Sequence, residues 1–322
     1  MKILITGGAG FIGSSLADQL IARGDEVYII DNFATGRREN LSPDISQVTS
    51  LKSEIEKGSK FWDKSICSIE DDYLRGCLRA ACPDVVIHAA ASYKDPDDWV
   101  NDSLVNTMGT AYVASLCREY EVKRLIYFQT SLCYGQNPIE QPITINHPIT
   151  PANNSYAITK TAGERLIKMS GVNYISFRLA NCYGPRNLSG PIPTFYHRLT
   201  NDKGCFVVNT RRDFVFIDDL LKIVMKAIDG CGEKGEYHIA TGRDHSIAEL
   251  FEAVTEALEI DAEADHIERG PDDVETILLD PSKTIRDFGI EAKTPLKEGV
   301  KKAIEWYKAN EIKETYTHLR KK

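Results

Sequence analysis

Hydrophobic positions in the first half of the chain recur as short runs separated by amphipathic stretches. Five runs have the length and the apolar character of buried strands: Lys2–Thr6, Glu26–Ile30, Asp84–His88, Arg124–Gln129 and Tyr174–Arg178. Leucines at helical spacing predict a helix over Ser14–Arg23, and another is predicted over Ala157–Met169. Strands alternating with helices indicate βαβ units, whose right-handed crossovers build a doubly wound parallel sheet.

The pattern loosens after Asn181, where prolines and glycines indicate a loop-rich chain. Later segments predict strands over Phe214–Ile217 and Tyr237–Ala240, and helices over Asp219–Ile228, from Ser246 to Leu258, and over Leu296–Asn310. We therefore predict a Rossmann-type α/β protein of two domains. Residues 1–180, with a return near 206–235, form the dinucleotide domain, and residues 181–322 form a smaller α/β substrate domain.

Composition narrows the possible partners. The 322 residues carry a net charge of -8, which disfavours a nucleic-acid partner because such proteins need a basic face. No apolar run approaches the roughly 18–20 residues of a membrane span, and the first residues lack the pattern of a signal peptide. The eight cysteines form no C-x-x-C pair, and we find no metal-ligand cluster. We expect a cytoplasmic protein with reduced thiols, without a metal and without a membrane partner.

Three glycines follow the first strand and open the first helix. Gly7 permits a tight turn, Gly10 lets the backbone approach a pyrophosphate, and Gly13 lets the helix pack closely on the sheet. A glycine triplet alone is a weak signal, but its place between a strand and a helix makes it specific. The amides and the dipole of the helix attract the anion.

Asp31 ends the second predicted strand, at the distance from the glycines that a dinucleotide site requires. A carboxylate there accepts the ribose hydroxyls and repels a 2′-phosphate, which favours NAD over NADP. Arg37 and Arg38 lie close by in the sequence and leave the accommodation of a phosphate open. We predict NAD as the cofactor.

Tyr156 and Lys160 form a Y-x-x-x-K pair, which a helix places on one face. A phenol with an ordinary pKa of about 10 is a poor base at neutral pH, but a nearby ammonium favours the phenolate. Tyr156 can then take a proton from a sugar hydroxyl while hydride leaves the same carbon. A Y-x-x-x-K pair often occurs by chance. It indicates a catalytic site here because the glycine turn of a dinucleotide site lies upstream in the same chain.

With these motifs the chain resembles the extended short-chain dehydrogenase/reductase family, specifically its nucleotide-sugar epimerases and dehydratases. It is similar in particular to epimerases of bacterial O-antigen gene clusters, which share the segment ASYKDPDDW at 91–99. The other matching segments are GGAGFIG (7–13), DNFATGRRENL (31–41), HAAA (88–91), NTMGT (106–110), TSLCYG (130–135), SYAITK (155–160), RLANCYGPR (178–186) and RDFVFIDDL (212–220).

The resemblance implies roles for individual residues. Thr130 occupies the position whose hydroxyl shares a hydrogen bond with the sugar oxygen, and Ser131 is the second choice. Lys160 also hydrogen-bonds the nicotinamide ribose. Further cofactor contacts fall on Phe11, Ile12, Asn32, Ala34, Thr35, Gly36, Ala89, Ala90, Ala91 and Asn106, the last more structural than catalytic.

Two segments depart from the family pattern. Ser68–Ile69 stands where relatives have Asp-Ile, and Ser68 would hold the adenine more weakly than an aspartate. The stretch from Tyr93 and Lys94 to Trp99 is more polar and aromatic than usual, so it either touches the sugar or is an ordinary surface loop.

For the substrate, Asn181 and Arg212 match the positions that bind the nucleotide diphosphate in relatives. A diphosphate prefers the forked donors of arginine, and Arg186 and Arg211 are neighbours that could assist. Three further polar residues are expected to be structural: His88, Asp213 and Asp218.

Ser131 and Leu132 decide between reactions. Dehydratases of the family carry Asp-Glu at these positions and decarboxylases carry an acid at the second, whereas a leucine cannot exchange a proton. The expected reaction is epimerisation of a nucleotide sugar, a UDP-hexose by family precedent, through a transient 4-keto sugar in surface-polysaccharide synthesis. The alternatives are reduction of a keto sugar and non-catalytic sugar-nucleotide binding. The resemblance also implies a homodimer built from the segments 103–120 and 156–170.

Overall fold

Strands form along the apolar runs of this sequence, because branched and aromatic side chains pack well on a pleated, covered surface. The computed structural model of the chain describes residues 1–47, 58–63, 66, 73–270 and 274–316. The strands are β1 (Lys2–Thr6), β2 (Glu26–Asp31), β3 (Ser46–Gln47), β4 (Lys60–Asp63), β5 (Val85–His88), β6 (Arg124–Thr130), β7 (Tyr174–Leu179), β8 (Asn181–Tyr183), β9 (Cys205–Val208), β10 (Arg211–Phe216), β11 (Gly235–Ile239), β12 (Asp244–Ser246), β13 (Ala264–Ile267) and β14 (Thr276–Ile277).

The helices alternate with these strands in the first half of the chain. The α-helices are α1 (Phe11–Arg23), α2 (Tyr73–Ala81), α3 (Trp99–Asp102), α4 (Thr110–Glu119), α5 (Ser155–Ser170), α6 (Pro191–Leu199), α7 (Ile217–Ile228), α8 (Ile247–Leu258), α9 (Ser282–Phe288) and α10 (Leu296–Ala309). Short 3-10 helices cover Arg38–Asn40 and Ser131–Tyr134, and a π-helical segment covers Ser103–Gly109.

The main sheet is an eight-stranded parallel sheet in the order β11-β7-β6-β5-β1-β2-β4-β3. β1 pairs with β2 on one side and with β5 on the other, so that Thr6 has Ile30 and His88 as its two register partners. The strand order reverses between β1 and β5, and ligands of open α/β sheets bind outside the carboxyl ends of the strands at such a point. The predicted Rossmann-type α/β fold is confirmed.

The chain divides into two compact units that interleave along the sequence. One contains residues 1–129, 158–177 and 227–235, and the other contains residues 130–157, 178–226 and 236–322. In the second unit, β10 lies between β12 and β14 and also pairs with β8, while β13 pairs with β9. The predicted division into a cofactor domain (1–180) and a substrate domain (181–322) concerns function and stays a prediction.

Local signals located most elements correctly, and tertiary pairing explains the differences. The capping box that starts α8 is present, with Ser246 and Glu249 each accepting from the other's backbone amide. The strand predicted over Phe214–Ile217 is observed as β10, Arg211–Phe216. It begins earlier than predicted because neighbouring strands pair with its polar residues Arg211 and Arg212. Among the described residues, no helix combines the length and the apolar character needed to cross a membrane.

Candidate active site

The glycine turn joins β1 to α1 and leaves no space for side chains at two positions. Gly7 adopts a φ of 71°, and its amide donates to the Ile30 carbonyl at 2.8 Å. A Cβ on Gly7 would lie 2.5 Å from the backbone nitrogen of Ala90, and one on Gly13 would lie 2.3 Å from the Gly7 oxygen. Gly10 is less constrained, since its Cβ would lie 3.2 Å from that oxygen. Close backbone approach therefore requires glycine at positions 7 and 13.

The start of α1 is built to receive an anion. The Ser14 amide makes the first helical bond, to the Gly10 carbonyl at 3.0 Å. By helix geometry the preceding amides of Phe11, Ile12 and Gly13 have no acceptor within the helix. The first turn carries no acidic side chain, so the positive end of the dipole is unopposed there.

Asp31 is buried at the end of β2 and is tied to the glycine turn. Its carboxylate accepts from the Ala9 amide at 2.9 Å and from the Phe33 amide at 2.8 Å. Burial raises the pKa of Asp31, and these two hydrogen bonds oppose the shift. A carboxylate has about four acceptor positions, so two remain for the hydroxyls of a ribose.

The loop after β2 closes on the same turn. The Ala9 carbonyl accepts from the Arg37 amide at 3.1 Å and from the Asn40 side chain at 2.9 Å. The buried Asn40 had no role in the sequence analysis, although it lies in the matching segment 31–41. The predicted ribose-lining residues lie in this loop, half-buried or exposed: Asn32, Ala34, Thr35 and Gly36.

The loop after β5 passes the other side of the turn. The Ala89 amide donates to the Thr6 carbonyl at 3.0 Å, and Ala89, Ala90 and Ala91 are all half-buried. Tyr93 follows, and the Thr35 hydroxyl hydrogen-bonds its phenol, which opposes the rise that burial causes in the Tyr93 pKa. The two loops that flank the glycine turn therefore meet at this pair. Lys94 is exposed.

His88 is a structural residue, as expected from the sequence. Its ring nitrogens lie 2.7 Å from the Thr6 hydroxyl and 2.8 Å from the Thr110 hydroxyl. Complete burial, assisted by the charge of Lys160, lowers the pKa of His88 to about 3. A neutral imidazole thus links β1 and β5 to the start of α4.

Asn106 also has a structural role. It accepts from the Ser92 amide at 2.9 Å, and its amide group donates to the Ser92 carbonyl at 2.9 Å and to the Thr159 hydroxyl at 3.1 Å. These bonds join the π-helical segment to the loop after β5 and to α5. π-Helical segments such as this one often occur at functional sites.

Tyr156 and Lys160 are one turn apart on α5. Lys160 is buried, its ammonium nitrogen lies 3.9 Å from the ring centroid of Tyr127, and the Tyr127 hydroxyl donates to its carbonyl at 3.0 Å. Burial lowers the pKa of Lys160 to about 7, while the charge of Glu164 acts in the opposite direction.

Thr130 ends β6 and caps the following 3-10 helix, with its hydroxyl accepting from the Leu132 amide at 3.2 Å. Thr130 is half-buried, whereas Ser131 is buried. The first choice of the sequence analysis is thus the more accessible hydroxyl. No carboxylate occupies position 131 or 132.

A buried polar chain anchors the far end of this short helix. Arg178 donates to the Tyr134 hydroxyl at 2.9 Å, and that hydroxyl lies 2.6 Å from His238 Nε2. His238 Nδ1 lies 2.9 Å from the carbonyl oxygen of Asp280, so Nδ1 carries the proton. Nε2 must then accept from Tyr134. Burial lowers the pKa of His238 to about 4, which keeps the ring neutral at pH 7.

Tyr134→Phe is expected to lower the free energy of unfolding by about 1–3 kcal/mol, because it leaves His238 Nε2 and one Arg178 donor buried without this partner. Urea denaturation checks the value. Tyr316→Phe is the matched control, since its hydroxyl bonds Glu314 in an exposed setting. Equal stability of Tyr134→Phe and the wild type would show that the chain contributes nothing.

Asn181 and Arg212 lie on adjacent strands of the second unit. Asn181 is the register partner of Phe214 in β10, and Arg212, two residues earlier, shares the sheet face of Phe214. Arg212 donates to the Arg211 carbonyl at 2.8 Å, and Arg211 is paired with Asp244 at 2.9 Å. The structure therefore brings the two predicted diphosphate ligands together, while Arg211 is engaged elsewhere.

The remaining polar residues are a buried aspartate with structural contacts, an exposed aspartate, and two residues outside the described ranges. Asp213 is buried and accepts from the Thr241 amide and the Gly242 amide, both at 3.0 Å, which fixes a loop. Asp218 lies exposed in the first turn of α7. Ser68 and Ile69 lie outside the residues that the structure describes. Within the described ranges, no group of three or more His, Cys, Asp or Glu side chains could hold a metal ion.

Comparison with known proteins identifies the family. The model of the NAD dependent epimerase/dehydratase family matches residues 3–240, which is more than half of the chain. The chain belongs to this family. The resemblance inferred from the motifs is confirmed, and so is the cofactor, NAD. The glycine turn, the start of α1 and the carboxylate of Asp31 fit that cofactor.

Other members of the family are similar over nearly their full length. WbmH of Bordetella bronchiseptica, solved with NAD+, is 46% identical with a TM-score of 0.88, over 97% of this chain and 99% of that one. WbmG of the same organism, solved with NAD and UDP, is 40% identical with a TM-score of 0.87, over 99% of each chain. The UDP-glucose 4-epimerase of Mycolicibacterium smegmatis is 29% identical, over 96% of this chain and 99% of that protein.

Proposed function

We propose that this protein is an NAD-dependent epimerase that inverts one carbon of a nucleotide sugar through a transient keto sugar. The observation that carries the proposal is the composition of the β6 terminus and α5. Thr130, Tyr156 and Lys160 supply hydroxyl, phenol and buried ammonium, whereas Ser131 and Leu132 supply no acid. With NAD as the hydride acceptor and donor, this set can handle the proton of an alcohol that is oxidised and then reformed, but positions 131 and 132 offer no acid to remove water or carbon dioxide.

In the proposed reaction the chain's own residues handle the proton. NAD, when bound, would supply the acceptor for the hydride of the sugar carbon and the source from which that hydride returns. Tyr156 takes the hydroxyl proton of the sugar, and Thr130 hydrogen-bonds the same oxygen. Lys160 stabilises the phenolate of Tyr156 and contacts the ribose of the cofactor. Tyr156 then returns the proton to the keto oxygen after the sugar has presented its other face.

Asn181 and Arg212 would hold the diphosphate of the substrate. They share one face of the sheet of the second unit, and an arginine fork matches phosphate oxygens. The presence of UDP with NAD in the WbmG structure supports uracil as the base of the substrate. We propose a UDP-hexose inverted at C4, made in the cytoplasm for a bacterial surface polysaccharide.

The proposal is tested by incubating the protein with a panel of UDP-sugars and following the sugar resonances by NMR. An epimerase produces a second diastereomer from one of them without added reductant. A keto-sugar reductase gives no product from any UDP-hexose and instead consumes NADH or NADPH with a 4-keto sugar. If neither conversion is observed, the protein is a non-catalytic sugar-nucleotide binder.

We also propose a C2 homodimer. The side chains of Trp99, Val100 and Leu104 are exposed on α3 and the π-helical segment, and Ile158 is exposed on α5. These positions adjoin or lie within the predicted contact segments 103–120 and 156–170, and exposed apolar patches mark interfaces. Light scattering at micromolar concentration should give twice the chain mass, with Leu104→Glu shifting the mass towards the monomer. A monomeric wild type would contradict this assembly.

A further inference from the structure

Two carboxylates lie at the carboxyl ends of adjacent strands beside the glycine turn. Asp31 and Asp63 are register partners at the ends of the adjacent parallel strands β2 and β4. Neighbouring strands lie about 4.8 Å apart, and the charge of Asp63 adds to the rise in the Asp31 pKa. Only Asp31 is recognisable from the sequence, because no local pattern indicates that β4 pairs with β2.

Arg38, one of the two arginines that left NADP open in the sequence analysis, is held by three groups. Its guanidinium forms an ion pair with Asp63. The same group lies 4.4 Å from the ring centroid of Phe33 and 5.5 Å from that of Phe61. The two rings pack edge to face at 6.1 Å, so they define one site for the guanidinium.

We propose that Asp63 is a positioning residue for cofactor specificity, which holds Arg38 away from the 2′ position of the ribose. Arginine is the natural partner of a 2′-phosphate, and its forked donors bind phosphate oxygens strongly. While Asp63 engages Arg38, the negative charge of Asp31 is not offset by that guanidinium. The two carboxylates together then favour NAD, one by direct contact and the other by retaining the arginine.

Asp63→Asn tests the proposal in the full-length protein. The holoprotein is equilibrated with equal concentrations of NADH and NADPH, and the bound dinucleotides are separated and quantified. We expect the bound ratio of NADPH to NADH to rise about tenfold, since one charge-assisted contact is gained with the phosphate. Asp63→Glu, which keeps the carboxylate, should retain the wild-type ratio. Asp202→Asn, an exposed neutralisation far along the chain, controls for net charge.

Removing Arg38 distinguishes retention of Arg38 by Asp63 from simple repulsion between the Asp63 carboxylate and the 2′-phosphate. In Asp63→Asn/Arg38→Met the ratio should return to within about twofold of the wild type, because the released guanidinium is gone. Arg37 is present in every variant, so a gain due to Arg37 would persist in the double variant. An unchanged ratio in Asp63→Asn overturns the proposal. An equal gain in the single and double variants overturns it as well.

Discussion

Tyr156→Phe is expected to lower turnover by at least about 100-fold while leaving folding and NAD binding nearly unchanged. The substitution removes one oxygen and keeps the ring, so packing on α5 is conserved. Proton transfer by a positioned side chain contributes about 100- to 10,000-fold to a rate, and phenylalanine cannot transfer a proton. In the proposed site the cofactor is held mainly by the glycine turn, Asp31 and Lys160, and all of these remain in the variant.

Initial rates on the substrate that the UDP-sugar panel identifies, together with calorimetric titration of NAD, give the two quantities. Tyr120→Phe, a half-buried tyrosine at the end of α4, is the matched control and should keep wild-type turnover. Lys160→Ala should weaken NAD binding as well as turnover, because it removes both the ammonium and the proposed contact with the ribose. Near-normal turnover of folded Tyr156→Phe would show that Tyr156 is only a helix residue near the cofactor.

Gly13→Ala is expected to weaken NAD binding by at least about tenfold and to lower the melting temperature. The new Cβ would lie 2.3 Å from the Gly7 oxygen and 2.8 Å from the Gly8 Cα, so α1 must move away from the turn. Both neighbours are backbone atoms, which cannot rotate out of the way as a side chain would. Displacing the helix moves the amides that we expect to bind the pyrophosphate, and a loss of about 1.4 kcal/mol already costs tenfold in affinity.

The control for this substitution is Gly204→Ala, where a Cβ would meet nothing within 4 Å. It should leave both the NAD affinity and the melting temperature within error of the wild type. Calorimetry and a thermal melt of each protein supply the comparison. Wild-type NAD affinity in Gly13→Ala would mean that the close approach of α1 to the turn is not needed for cofactor binding.

Sequence alone predicted the parts of the candidate site that depend on local spacing. The glycine turn lies within seven residues, and the Tyr156–Lys160 pair follows from one turn of helix, so each motif carries its own geometry. The Rossmann-type fold followed for the same reason, since each strand and crossover helix has its own periodicity.

Contacts between distant segments were beyond local patterns. Tyr134 and His238 are 104 positions apart, and nothing around either residue indicates the other. Asp63 ends a four-residue strand whose partner is known only from the sheet, so its place beside Asp31 could not be predicted. The observed ends of β10 differ from the predicted ones for a similar reason. Its polar residues adopt strand structure because they pair with neighbouring strands on both sides.

The central claim, that one hydride leaves and returns to the same sugar carbon, is tested most directly by isotope retention. The UDP-sugar that the protein converts is prepared with deuterium on the carbon that is inverted, and the product is analysed by NMR and mass spectrometry without added reductant. The account predicts full retention of deuterium at that carbon in the new diastereomer. Loss of the deuterium from that carbon in the new diastereomer would contradict the return of the same hydride and with it the proposed mechanism.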